Sequence, residues 1–142
     1  MPLSYYPPAG EILVCHYDLD PVEPEMRKTR PVVVVGPRLR RRARLVTVVP
    51  LSTTEPIPVE RFQYRIDLDP ALPPPFDAPV AWAKCDMVSS VSLDRLDRFK
   101  IPRARYGGPR QWMVGRVSPE QLRAVRVATL CGLGFESLTK HM

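Results

Sequence analysis

Four valines in succession, Val32, Val33, Val34 and Val35, lie between Pro31 and Gly36. β-Branched side chains pack well on a pleated surface, so the run predicts a strand. No polar residue alternates with the valines, and the strand is therefore expected to be buried on both faces. An arginine-packed connection over residues 37–44 leads to a second β-branched run over residues 45–52. Pro50, near the end of that run, requires a bulge or an edge position.

The flanking sequence repeats this character in shorter pieces. Gly10 opens a strand over residues 11–17, which ends at the turn-forming Asp18, Leu19, Asp20 and Pro21. A polar, proline-bearing loop over residues 22–29 follows. In residues 61–68, Phe62, Tyr64, Ile66 and Leu68 alternate with Arg61, Gln63, Arg65 and Asp67, the pattern of a strand with one wet face. Residues 69–76 hold Pro70, Pro73, Pro74 and Pro75 and form a stiff loop. Strand signals resume at residues 80–84 and, after a bend at Asp86, at 88–93; residues 111–117 are a further candidate. Only one segment reads as helix. Ser118 caps it, Pro119 takes the first helical position and Gln121 completes a capping box. Leu122, Val125, Ala128 and Cys131 recur on one face, and Gly132 and Gly134 stop it. Short strands separated by turn signals describe a small β-barrel or sandwich.

Composition narrows the class. A chain of 142 residues is one domain by size. Its 21 Lys+Arg against 15 Asp+Glu give a net charge of +6, which favours polyanionic partners. The apolar runs are strand-length, far short of the ~20 residues needed to span a bilayer. The N-terminus lacks the charged and apolar regions of a signal peptide, so the expected compartment is the cytoplasm. Cys15, Cys85 and Cys131 are widely spaced and odd in number, which predicts buried thiols rather than a disulfide framework or a zinc site.

The order of the pieces resembles the MazF/PemK family of toxins from bacterial toxin–antitoxin pairs. Gly10-Glu11-Ile12-Leu13-Val14 with the turn at residues 18–21 is similar to the family's opening strand. Arg30-Pro31 and the valines are similar to its Arg-Pro and second strand. Val48 to Thr53 is similar to its third strand, which ends in a small hydroxyl residue. Cys85-Asp86 with residues 91–96, and the helix from Ser118, complete the likeness over about residues 10–134, with residues 1–9 and 135–142 as tails. The resemblance implies a mainly β fold, an SH3-like small barrel with a C-terminal helix, of the MazF/PemK/CcdB-like kind. It also implies a homodimer, an RNA substrate, cleavage without a metal or other cofactor, and a cognate acidic antitoxin.

Cleavage of this kind needs groups to move protons and donors around the charge that builds on the phosphoryl oxygens. By resemblance Arg30 contacts phosphate and is catalytic; the alternative is a structural ion pair to Asp86 or Glu11. Ser52 falls where the family carries its catalytic hydroxyl, with Thr53 and Thr54 following; the alternative is a strand-end cap. Lys84 and Asp86, two apart in an extended segment, are expected on one face, and the resemblance implies an acid–base pair there. An ordinary surface ion pair remains open for them. Lys84 stands where some family members have arginine. Thr29, Thr53 and Thr54 are expected to contact RNA, His16 either packs on the first strand or lines the margin of the site, and a His16/His141 pair is disfavoured because His141 lies in the C-terminal tail. Arg38, Arg40, Arg41 and Arg42 either grip the RNA backbone or form a solvated hairpin tip. The reading is a growth-inhibiting toxin that cuts single-stranded RNA by 2′-hydroxyl attack. Its rivals are a non-catalytic RNA- or DNA-binding barrel and a purely structural partner domain.

Overall fold

β-Branched and aromatic runs become strands wherever the pattern called for them. A computed structural model describes residues 3–17, 28–103 and 105–142. The turn expected at Asp18 to Pro21, and the following loop as far as Arg27, lie outside the described residues. The strands are β1 (Glu11–His16), β2 (Thr29–Val34), β3 (Leu45–Ser52), β4 (Gln63–Asp67) and β5 (Val80–Lys84), then β6 (Ser89–Ser92), β7 (Leu96–Asp97), β8 (Phe99–Ile101), β9 (Gln111–Met113) and β10 (Gly115–Arg116). One helix, α1 (Pro119–Gly132), follows. The fold is mainly β with a C-terminal helix, as the sequence predicts.

Antiparallel pairing runs in the order β10-β1-β2-β3-β5-β4, with β6 also on β3 and β7 also on β1. Among the described residues β10 and β4 end this path and do not pair with each other, so the sheet is open rather than a closed barrel. β8 and β9 form a separate two-stranded ribbon. β3 changes partner along its length: Leu45 to Val48 pair with β6, whereas Leu51 and Ser52 pair with β5. Pro50 sits in the gap between these two pairings, where its missing N–H costs no ladder bond on that side.

The central strands are buried on both faces, which explains the unbroken apolar runs. Ile12, Val14, Val33, Val35, Val49 and Leu51 pack with Val125 and Ala128 of α1 in one core. The intervening side chains Leu13, Cys15, Val32, Val34, Val46 and Val48 pack with Val91 and Leu96 in a second. The helix begins as expected: Ser118 Oγ accepts the Gln121 N–H at 3.1 Å, and the Gln121 side chain accepts the Ser118 N–H at 2.8 Å.

The described parts of the segments read as tails are folded against the body, residues 3–9 on the sheet and residues 135–142 beside α1. Leu3 is buried, and the Tyr6 hydroxyl donates to the Leu45 carbonyl at 2.6 Å. Residues Glu136–His141 form a 3-10 helix rather than a loose end, joined to the body by an Arg61–Glu136 ion pair.

Candidate active site

A hairpin fixes which residues can face one another. β2 and β3 pair with Val32 opposite Pro50 and Val34 opposite Val48. Continuing that register by two residues sets Arg30 opposite Ser52, at the open end of the hairpin. There a cavity of about 470 Å³ is lined by Lys28, Thr29, Arg30, Ser52, Thr53, Thr54 and Lys84. Its apolar wall comes from the proline-rich segment between β4 and β5, through Leu68, Leu72, Pro75 and Phe76. The size falls within the range of small-molecule sites.

Arg30 is half-buried at the start of β2. Its charge reaches Tyr17: burial pushes that phenol above its ordinary range, and the Arg30 guanidinium acts in the opposite direction. Glu11, one acid considered as a structural partner for Arg30, lies at the far end of β1 from Cys15, the residue paired with Arg30. The Glu11 carboxylate accepts from Arg116 at 3.2 Å and from the Tyr5 hydroxyl at 3.0 Å.

Ser52 is only 7% exposed, and its Oγ accepts the Thr54 N–H at 3.2 Å. The capping role is therefore real. It uses one lone pair of the hydroxyl and leaves the hydrogen to donate, so capping and phosphate contact do not compete.

Lys84 and Asp86 part company, against expectation. The chain leaves the extended conformation after Lys84 and turns through a 3-10 helix, Cys85–Met87. The two-residue alternation that would align their side chains is lost. Lys84 lines the cavity; Asp86 is exposed and is not part of the lining. The cause is α1: a Cβ on Gly132 would come within 2.9 Å of the Asp86 Cα, so the helix packs backbone to backbone on this turn.

The arginine-rich turn is also displaced from the site. Arg38, Arg40, Arg41 and Arg42 are exposed on the connection between β2 and β3. A hairpin's turn lies at the opposite end from its open ends, and eight residues of β3 at ~3.3 Å each set it roughly 25 Å away. Arg38 lies over the Tyr6 ring at 5.8 Å, and Arg44 pairs with Asp94. His16 takes a marginal place. Its Nδ1 is 3.0 Å from the Thr29 Oγ1, at the edge of the cavity.

Sequence reasoning missed Lys28 and the apolar wall. Lys28 has a positive φ of 69°, a conformation no local signal announces. The wall belongs to a loop recognised only as stiff. Among the described residues no three His, Cys, Asp or Glu side chains gather as a metal-ligating group.

A half-buried arginine across from a buried hydroxyl, with a lysine lining the same cavity, is a set of groups whose chemistry suits an anion, on a mainly β fold. Residues 9–131 match the model of the PemK-like, MazF-like toxins of type II toxin–antitoxin systems, and the chain belongs to that family. YifN of Escherichia coli (strain K12) is 31% identical over 121 residues, covering 72% of this chain and 80% of its own. Three solved structures share the fold. MazF from Deinococcus radiodurans is 16% identical with a TM-score of 0.59, the match covering 92% of this chain and 99% of that one. Toxin MazF-mt6 of Mycobacterium tuberculosis is 17% identical with a TM-score of 0.53, covering 86% and 96%. A third structure, an endoribonuclease from a mycobacterial species, is 20% identical with a TM-score of 0.53, covering 91% and 92%.

Proposed function

We propose that this chain is an endoribonuclease toxin that cuts single-stranded RNA at the cavity between β2, β3 and β5. The observation that carries the reading is the meeting of Arg30, Ser52 and Lys84 in one cleft. The 2′-hydroxyl oxygen of the substrate attacks the adjacent phosphorus and the P–O5′ bond breaks, giving a 2′,3′-cyclic phosphate and a 5′-hydroxyl. Arg30 spans two non-bridging oxygens with its planar fork, and Ser52 donates to one of them. Lys84 delivers the proton that O5′ needs as it leaves, while the 2′-hydroxyl proton passes to water. Charge stabilisation on the phosphoryl oxygens then supplies most of the acceleration. Asp86 has no part in this arrangement.

The biological reading follows from the family. The protein is a growth-inhibiting toxin, acts as a homodimer, and is silenced by an acidic antitoxin laid over the basic cleft. The test is cleavage of mixed RNA in excess EDTA, with new 5′-hydroxyl ends mapped. Wild type is expected to cut, and Arg30→Ala to lose at least about 10²-fold in rate. Undiminished cutting by Arg30→Ala would sink the mechanism, and no cutting by wild type would leave the non-catalytic RNA-binding reading.

A further inference from the structure

The ribbon β8–β9 has two unlike faces. Its register sets Phe99 opposite Met113 and Lys100 opposite Trp112, and alternate residues of a strand point to opposite faces. Phe99 and Met113 pack into the core. Lys100 and Trp112 take the outer face, where Arg98 lies 4.9 Å and Lys100 5.8 Å from the Trp112 ring centroid. Stacking on one ring orders both cations and lowers the entropy each would lose on meeting a ligand.

Beyond the strands the hairpin stands clear of the body. Every described residue over 102–110 is exposed, and a Cβ built on Gly107 or Gly108 would meet nothing within 4 Å. Tyr106 is 93% exposed, with the Arg105 guanidinium 5.8 Å from its ring centroid. An aromatic so placed adds almost no burial to the fold. Residues 98–119 hold Arg98, Lys100, Arg103, Arg105, Arg110 and Arg116, and no aspartate or glutamate. Arg116 is drawn to Glu11. Surfaces that serve solubility alone intersperse both signs of charge, whereas this arm keeps a positive field.

Exposed rings among cations without interleaved acids are the parts of a single-strand track: phosphates meet the cations and bases stack on the rings. The arm also begins where the cleft ends. Phe99 meets Phe76 edge to face at 5.8 Å, and Phe76 lines the cavity that holds Arg30. We propose that the β8–β9 hairpin is an accessory docking arm for single-stranded RNA, outside the cleft. It holds the substrate several nucleotides away from the cut, through Lys100, Arg105, Arg110 and the Tyr106 ring. That RNA is its occupant rests on the RNA-cleaving reading above. The arm supplies affinity for long RNA and takes no part in the chemistry.

The test is a titration with labelled 2′-O-methyl RNA, which cannot cut itself, in mixed-sequence lengths of about five and about twenty nucleotides. The shorter fills the cleft alone, and the longer also spans the arm. Joint Lys100→Gln, Arg105→Gln and Arg110→Gln substitution is expected to weaken the longer RNA at least about tenfold and the shorter less than about twofold. Retained affinity for the shorter RNA shows that the variant is folded. Tyr106→Ala, at a side chain that the fold does not bury, is expected to weaken the longer RNA about fivefold. Joint Arg38→Gln, Arg40→Gln and Arg41→Gln substitution removes equal charge from the other basic turn and is expected to leave both lengths within about twofold. Equal losses at both lengths, or an equal loss in the Arg38 set, mark a general field and overturn the arm. So does unchanged affinity for the longer RNA. Tighter binding of polyglutamate than of the longer RNA, lost in the Lys100 set, would make the arm a protein-docking surface and overturn the RNA assignment. A wild type that binds RNA and cuts none overturns the catalytic reading alone, since the titration still decides the arm.

Discussion

At the scale of single residues, the structure separates two that the sequence joined. Lys84 faces the cavity and Asp86 does not, so the pair makes opposite predictions. Lys84→Gln is expected to slow cleavage by about 10²-fold or more, as removal of a positioned proton donor does. Asp86→Asn is expected to stay within a few-fold of wild type. Single-turnover rates on one RNA check both, and a collapse of activity in Asp86→Asn would restore the acid–base pair. A second residue-scale expectation concerns alkaline pH. Burial pushes the Cys85 thiol from its ordinary 9.0 to about 12, with the Thr129 hydrogen bond opposing and the Asp86 and Cys131 charges adding to it. Burial, together with the hydrogen bond to Glu11, raises Tyr5 from 10.0 to about 12. Above pH 9 the unfolded chain therefore releases protons that the folded chain retains, and stability falls as pH rises toward 12. Urea midpoints measured across this window are expected to decline, and to decline less steeply in Cys85→Ala.

At the scale of elements, α1 does more than close the fold. Its capping box ties down the first turn, and Ser118→Ala is expected to cost about 1 kcal/mol in denaturant unfolding. Its other end shapes the site from behind. Gly132 lies against the Cys85–Met87 turn with the Asp86 Cα and N as neighbours, both backbone atoms that cannot swing aside. Gly132→Val is expected to lower stability by about 1–3 kcal/mol, the range for overpacking. It is also expected to reduce cleavage, because the displaced turn carries Lys84 at its head. An unchanged melting temperature in Gly132→Val would show that this approach is not tight.

At the scale of the whole molecule, positive charge gathers on two unlike surfaces. One is the turn over residues 37–44, far from the cleft. The other is the basic stretch from Arg95 to Arg110, which carries the ribbon β8–β9, with Arg98 and Lys100 stacked on Trp112. RNA affinity is expected to fall linearly in log–log form with salt. Each phosphate-binding cation removed from the second surface should lower the slope by about 0.7, the value for single strands. The same substitutions in the turn are expected to leave the slope nearly unchanged. Anisotropy titrations at several salt concentrations separate the two surfaces.

Local features were legible from the amino-acid order alone. The valine run, the half-wet strand at Gln63–Asp67 and the capped helix all follow from side-chain period and capping chemistry, which act within a few residues. That Arg30 and Ser52 share one site followed from the family resemblance, and the strand register then set them opposite one another. That same register removes the arginine-rich turn from the site, an inference that its charge obscured. Only the tertiary structure decided the rest. Gly132, on a helix far along the chain, packs on the turn that breaks the extended line at Cys85. Pro75 and Phe76 reach the cleft from a loop with no local signal of where it lies. These outcomes depend on the meeting of distant segments, which is set by how two cores fill on either face of one sheet, and no local pattern records that.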